Sequence, residues 1–369
     1  MKVLIAPDKF KSSLTARQVS EIIQKTLSVK GITTEVCPLA DGGEGTAAIL
    51  TELCGGRMVA VTVHDPLMRL ISASYGISPD GSKAYIEMAQ ASGLWRLKKE
   101  EYDPGRTTTW GTGELIIHAL ESGARQIILG CGGSATNDGG CGMAAALGWK
   151  FFDEAGESFI PSANSLHRIT DISAEQFSPF VKTASFKVIS DVTNPLAGPH
   201  GAAFTFGSQK GATPETVIKL DEGLRWLDKI FQKISRRSYD NLPGAGAGGG
   251  MGAGARFFLN AEWEQGIDFL IKASGFEQKI RTADLVISGE GKLDHQSIHG
   301  KVVSGVAALC RKHYRPLWVV CGINELSTNE LEDFGINRVL STVSVSGSLD
   351  ESISRPDWWV ERAVLAAFQ

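Results

Sequence analysis

Apolar and polar positions along the chain alternate between two rhythms. Residues 3–6 form a continuous apolar run, and 15–27 repeat apolar positions at helical spacing. The same pair recurs as a β run at 34–39 and a helix at 45–53. At the far end, β runs at 284–288, 317–321 and 338–343 are followed by helices at 302–312, 328–333 and 358–368. Five β runs, each followed by a helix, predict a parallel sheet covered on both faces. Right-handed crossovers make this an open, doubly wound, flavodoxin-like α/β domain.

The middle of the chain reads differently. Runs at 59–63, 71–76 and 84–88 are separated by the turn signals His64-Asp65-Pro66 and Pro79-Asp80-Gly81, which predicts antiparallel strands. A helix at 112–122 and strands at 126–129 and 186–190 complete the pattern. The reading is therefore a discontinuous flavodoxin-like domain, 1–55 and 285–369, with a second mixed α/β domain, 56–284, inserted into it. A cleft between the two is where a ligand is expected.

Composition fits such a protein. Of 369 residues, 43% are hydrophobic and the net charge is −4, enough apolar surface for a core and too little charge for disorder. No long Lys/Arg run is present, so nucleic acid is excluded as partner. No apolar stretch reaches the ~18 residues of a membrane span. The N-terminus is charged too early for a secretory signal and reads as a first strand. Six scattered cysteines without a CxxC pair read as free thiols of a cytoplasmic protein.

Acidic residues end the β runs. Asp8, Asp41, Asp191 and Glu290 each follow an apolar run, and strand carboxyl ends line one crevice in a parallel α/β layer. Such groups suit Mg²⁺ and general-base work; any one alone reads better as a helix or turn cap, and it is their repetition that points to a functional carboxylate. Asp41-Gly42-Gly43-Glu44-Gly45-Thr46 adds glycines that let backbone approach a ligand. Gly132, Gly133, Ser134, Thr136, Asn137 and Asp138, after the strand 126–129, suit an N–H nest for phosphate. Residues 244–255 are glycine-rich but follow a loop, so they form no dinucleotide fingerprint; they clamp a ligand or pack a helix closely. The richest segment, 289–301, holds Glu290, Lys292, Asp294, Gln296, Ser297 and Lys301. His295 and His299 lack a third ligand for zinc. Neither the P-loop nor the protein-kinase motifs occur.

In order along nearly the whole chain, these segments resemble the glycerate kinase type 1 family of bacteria. The resemblance rests on Ile5-Ala6-Pro7-Asp8-Lys9-Phe10-Lys11, the 40–46 segment, Gly111-Thr112-Gly113-Glu114-Leu115, the 132–140 loop, Asp191-Val192-Thr193-Asn194-Pro195-Leu196, 206–212, 243–251 and 289–301. Lys9, Ser12 and Ser208 depart from the family's usual Ser, acid and Pro. The resemblance implies ATP and Mg²⁺ as cosubstrates and a flavodoxin-like domain with an insertion. It implies 2-phosphoglycerate as product, with the 3-phosphate as the alternative.

Phosphoryl transfer needs positioning and charge neutralisation more than covalent help. Asp191 and Asp294 are assigned as base and Mg²⁺ ligand, in an open order. Lys11 and Lys301 neutralise phosphate, and Arg106 takes the glycerate carboxylate or a surface ion pair. Asp8, Asp41, Glu44, Asn194, Glu290 and Gln296 are further substrate or phosphate contacts. A dinucleotide oxidoreductase and a hinged binding protein are the rival readings. The assembly is left open, with a homodimer as one choice.

Overall fold

The computed structural model describes residues 1–369 except 11, 12, 175, 176, 296, 298–300 and 369. In chain order the described strands are β1 Lys2–Pro7, β2 Thr33–Val36, β3 Arg57–His64, β4 Leu70–Ile77, β5 Lys83–Glu87, β6 Gln126–Gly130, β7 Lys150–Phe152, β8 Ser158–Phe159, β9 Asp171–Ser173, β10 Ser185–Ile189, β11 Glu262–Glu264, β12 Leu285–Leu293, β13 Leu317–Asn324 and β14 Arg338–Ser341. They build three sheets, ordered β14-β13-β12-β1-β2, β11-β10-β6-β5-β4-β3 and β8-β7-β9. The chain divides into two units, Met1–Asp41 with Gly266–Gln369, and Gly42–Gln265.

In the first unit every strand pairing is parallel. Counted within the unit, the spatial order is 2-1-3-4-5, the flavodoxin-like winding. β1 lies between β2 and β12, and Val3, Leu4, Ile5 and Ala6 are wholly buried. A strand covered on both faces has no polar side to alternate with, hence its unbroken apolar run. Val3 and Ile5 pack with Val19, Ile23 and Leu27 of the helix Ala16–Val29 and with Val360 and Val364 of the helix Pro356–Ala367. The first of these helices opens with a capping box between Thr15 and Gln18. The helix Val302–Lys312 buries Val302, Val303 and Val306.

Three edges differ from the sequence reading. β2 stops at Val36, although Cys37 and Leu39 still donate to Ile5 O and Pro7 O. The last strand stops at Ser341, whose hydroxyl accepts the Ser344 N–H and starts a helix, Thr342–Ser346. β12 runs on to Leu293, so Glu290 stands inside a strand and not after one.

In the second unit β3, β4 and β5 are antiparallel, while β5, β6, β10 and β11 are parallel. Leu115, Ile116 and Ala119 of the helix Trp110–Glu121 pack in one core with Ile127, Leu129 and Val188. The helix Thr46–Leu53, read with the first sheet from the sequence, belongs to this unit. Its Ala47 N–H donates to Glu87 Oε1 at the end of β5, 2.7 Å away. The helices Gly266–Ser274 and Phe276–Arg281 belong to the first unit. The sequence reading also passed over the 22-residue helix Pro214–Ser235, whose signals are local. Thr213 is its N-cap, Pro214 opens it, and Val217, Leu220, Leu224, Leu227 and Phe231 are buried at helical spacing.

The glycine-rich segment packs a helix closely. Within Ala247–Leu259, Gly248, Gly249 and Gly250 have positive φ. A Cβ at Gly249 would stand 1.9 Å from Thr136 O, and one at Gly254 would stand 2.1 Å from Gly139 O. Only glycine permits this backbone approach to the loop after β6. No described helix is long and apolar enough to cross a membrane. The six cysteines are free thiols, five buried and Cys54 half-buried.

Candidate active site

In the first unit the winding reverses between β1 and β12, and ligands of open α/β sheets bind beyond the strand carboxyl ends at such a point. Asp8 leaves β1 there, and its N–H donates to Gly289 O at 2.8 Å, next to Glu290. Burial pushes the Asp8 carboxyl up to about 7, and the charges of Asp41 and Glu290 push the same way. Lys9 opposes them by its charge and by an N–H donated to Asp8 Oδ1 at 2.7 Å. Burial likewise raises Glu290 to about 7; Ser297 and Lys301 oppose, while Asp294 and Asp41 add to the rise. Glu290 Oε1 is buried with no hydrogen-bond partner among the described residues. Ser297, fully buried, accepts the Asp294 N–H at 3.0 Å and hydrogen-bonds Glu290. Lys301 is the residue at the N-terminus of the helix Val302–Lys312. The unit thus gathers Asp8, Asp41, Glu290, Asp294 and Lys301 into one electrostatic neighbourhood.

Helix capping does not account for these acids. The helices that follow the four strand-end acids are capped by Thr15, Gly45, Gly201 and Lys301. Lys11, Gln296 and His299 lie outside the described residues. His295 pairs with Glu330 at 3.2 Å. Among the described residues no three His, Cys, Asp or Glu side chains are placed to hold a metal by themselves.

In the second unit the turn after Asp41 lies across the carboxyl ends of β6 and β10. A Cβ at Gly42 would stand 2.9 Å from Ile189 O, one at Gly130 2.5 Å from Gly42 O, and one at Gly132 2.5 Å from Gly43 Cα. Asp191 leaves β10 beside this turn, half-buried, and Glu44 is exposed at its tip. Beyond β6, Gly132 and Gly133 reach solvent and Ser134 is nearly covered, whereas Thr136, Asn137 and Asp138 are sealed. Asp138 accepts from Thr109 N and Oγ1, Gly140 N and Gly142 N, and so shapes the loop and the start of the helix Cys141–Ala146. Burial nevertheless pushes its carboxyl above the usual range.

Two more of the named residues sit in surroundings of their own. Arg106 is exposed in a groove of about 580 Å³ with Glu100, Glu101 and Asp103, and makes no ion pair among the described residues. Asn194 donates to His200 O at 2.8 Å and to Thr205 Oγ1 at 3.3 Å, folding its own loop. Two other residues escaped the sequence reading. Glu87 had a signal, a lone charge in the apolar run 84–88 that holds the turn helix from beneath. Lys210 lay within the 206–212 segment of the resemblance, but nothing local gave it a role, because its partners Ser134 and Thr136 lie more than 70 positions away.

The model of the glycerate kinase family matches residues 3–369. Glycerate 2-kinase of Escherichia coli K12 is 43% identical over 95% of this chain and 93% of its own length. Glycerate kinase of Halalkalibacterium halodurans is 39% identical over 98% and 96%. A crystal structure assigned to glycerate kinase 2 of Salmonella typhimurium LT2 superposes with a TM-score of 0.81 at 37% identity, covering 100% of this chain and 98% of that one. A match sustained from the first strand to the last helix, on a fold that agrees, places this chain in the glycerate kinase family.

Proposed function

We propose that the protein transfers the γ-phosphate of ATP to the 2-hydroxyl of D-glycerate, as a type 1 member of its family. The observation that carries this reading is the acidic rim at the winding reversal of the first unit, where Asp8 and Glu290 are buried and held near neutrality. Carboxyls so crowded gain by meeting a cation. The name of the Escherichia coli relative, glycerate 2-kinase, supports the choice of hydroxyl.

Mg²⁺ fits this donor set. Glu290 Oε1, buried with no hydrogen-bond partner among the described residues, and the like-charged Asp8 and Asp41 make an oxygen-rich surrounding that a hard cation would relieve. Mg²⁺ that arrives on nucleotide phosphates needs only one or two carboxylates, so a ready-made cage of three is not required. Asp294 or Asp191 would hold it, and when bound it would neutralise charge developing on the phosphate oxygens.

The chain's own residues supply the rest. Whichever of Asp191 and Asp294 does not hold the ion takes the hydroxyl proton. Lys301 and Lys11 balance phosphate charge as point charges. Gly132, Gly133 and Ser134 offer donors to anionic oxygens, and Arg106 takes the carboxylate of the acid. The reading places the enzyme in the cytoplasm, where its thiols stay reduced.

The test is ³¹P NMR of the products after incubation with Mg-ATP and D-glycerate. A 2-phosphoglycerate signal is expected, a 3-phosphoglycerate signal would move the transfer to the other hydroxyl, and no new phosphate ester would end the proposal. In the same assay Asp191→Asn and Asp294→Asn should each lower kcat by at least ~10²-fold.

A further inference from the structure

Lys210 is a cation sealed in the protein, 3% exposed, in the short turn Ser208–Lys210. Its Nζ donates to Ser134 Oγ at 2.8 Å and to Thr136 O at 2.8 Å. Both acceptors belong to the loop after β6. As an ammonium Lys210 has no acceptor atom, so in its charged form both bonds run from the lysine. Ser134 Oγ accepts from the lysine, and its own proton has no acceptor among the described residues. The carbonyl of Thr136 is likewise committed, while its buried hydroxyl has no partner among the described residues. Gly132 and Gly133, just before Ser134, are the part of the loop that reaches solvent.

Burial opposes the charge and holds Lys210 down at about 7, with Asp138 acting the other way. A buried ammonium costs more than an apolar side chain of the same length. Shape alone does not account for it.

We propose that Lys210 is a positioning residue which, from beneath the loop after β6, fixes Ser134 as a hydrogen-bond donor to an anionic oxygen of a substrate. This rests on the phosphotransfer reading above. The oxygen belongs to a nucleotide phosphate or to the carboxylate of the acid, two sources that share one chemistry.

The experiment uses the full chain and a cycle of Lys210→Met, Ser134→Ala and the double variant, with Lys210→Arg as the conservative change. KM is measured separately for Mg-ATP and D-glycerate. Lys210→Met should raise one of the two by at least ~10-fold, the usual loss for a hydrogen bond to a charged group, with a smaller change in kcat. The substrate whose KM rises is the source of the oxygen. The double variant should be no worse than Lys210→Met, because the donor is misdirected in either background, and Lys210→Arg should recover part of the loss.

Unchanged KM values in a folded Lys210→Met protein would overturn the inference. So would a double variant whose loss is the product of the two single losses. If Lys210→Met does not fold by circular dichroism, the same cycle is run with Lys210→Arg. If the wild type gives no phosphoglycerate, the reaction assignment fails by itself. Calorimetric Kd values for Mg-ATP and D-glycerate across the same proteins then decide the inference, equal values overturning it.

Discussion

Asp8 and Glu290 both carry carboxyls raised to about 7, mainly by burial. The unfolded chain releases these protons near the ordinary values of 3.8 and 4.5, the native protein only near 7. Between those limits the native state binds more protons, so this pair's contribution to stability falls as pH rises from about 4 to about 7. Asp8→Asn removes one of the two groups and relieves its neighbour. Its melting temperature, measured without ligand, should therefore gain on the wild type across that window and level off above it. A difference that stays flat from pH 4 to 8 would contradict the argument. The acids were legible in the sequence because each ends or follows an apolar run, a local pattern. The contacts of Lys210 were not, because its partners lie 74 and 76 positions away.

At the scale of elements, the helix Ala247–Leu259 packs its glycines directly on the backbone of the loop after β6. Gly249 has φ +71° and no room for a Cβ, since Thr136 O would be 1.9 Å away. Gly249→Ala should destabilise the second unit by about 1–3 kcal/mol, the usual cost of overpacking and a strained φ. Urea unfolding would measure it, and an unchanged midpoint would mean that the loop yields freely. The β-then-helix rhythm of the first sheet was readable because central parallel strands have no polar face. The long helix Pro214–Ser235 carried readable caps and periodicity as well. The helical role of 247–259 was harder to see, because three glycines of positive φ break its period.

At the scale of the molecule, each unit has an apolar cluster of its own. That of the second unit runs from Val63 to Ala261, with no member from the first. A fragment spanning 42–265 should therefore melt cooperatively on its own, as followed by near-ultraviolet circular dichroism. A broad transition without tertiary signal would show that its core needs the rest of the chain. The junctions at Asp41 and Gly266 were not readable to within a few residues. The helix Thr46–Leu53 looks like the natural partner of β2 by succession alone. Its true attachment depends on Glu87, which lies 40 positions further on.

The pairing of β1 with β12 has a consequence for biosynthesis. Ser288 Oγ donates to Ala6 O across 282 positions of sequence. At bacterial-to-eukaryotic elongation rates of ~5–20 residues per second, roughly fifteen seconds to a minute passes between emergence of the two strands. The second unit can close during that interval, while the nascent N-terminal strand waits with its aliphatic side chains uncovered. Slowing the ribosome should therefore lengthen the time in which chaperones hold this segment, and the winding reversal that carries Asp8 is among the last parts of the enzyme to come into being.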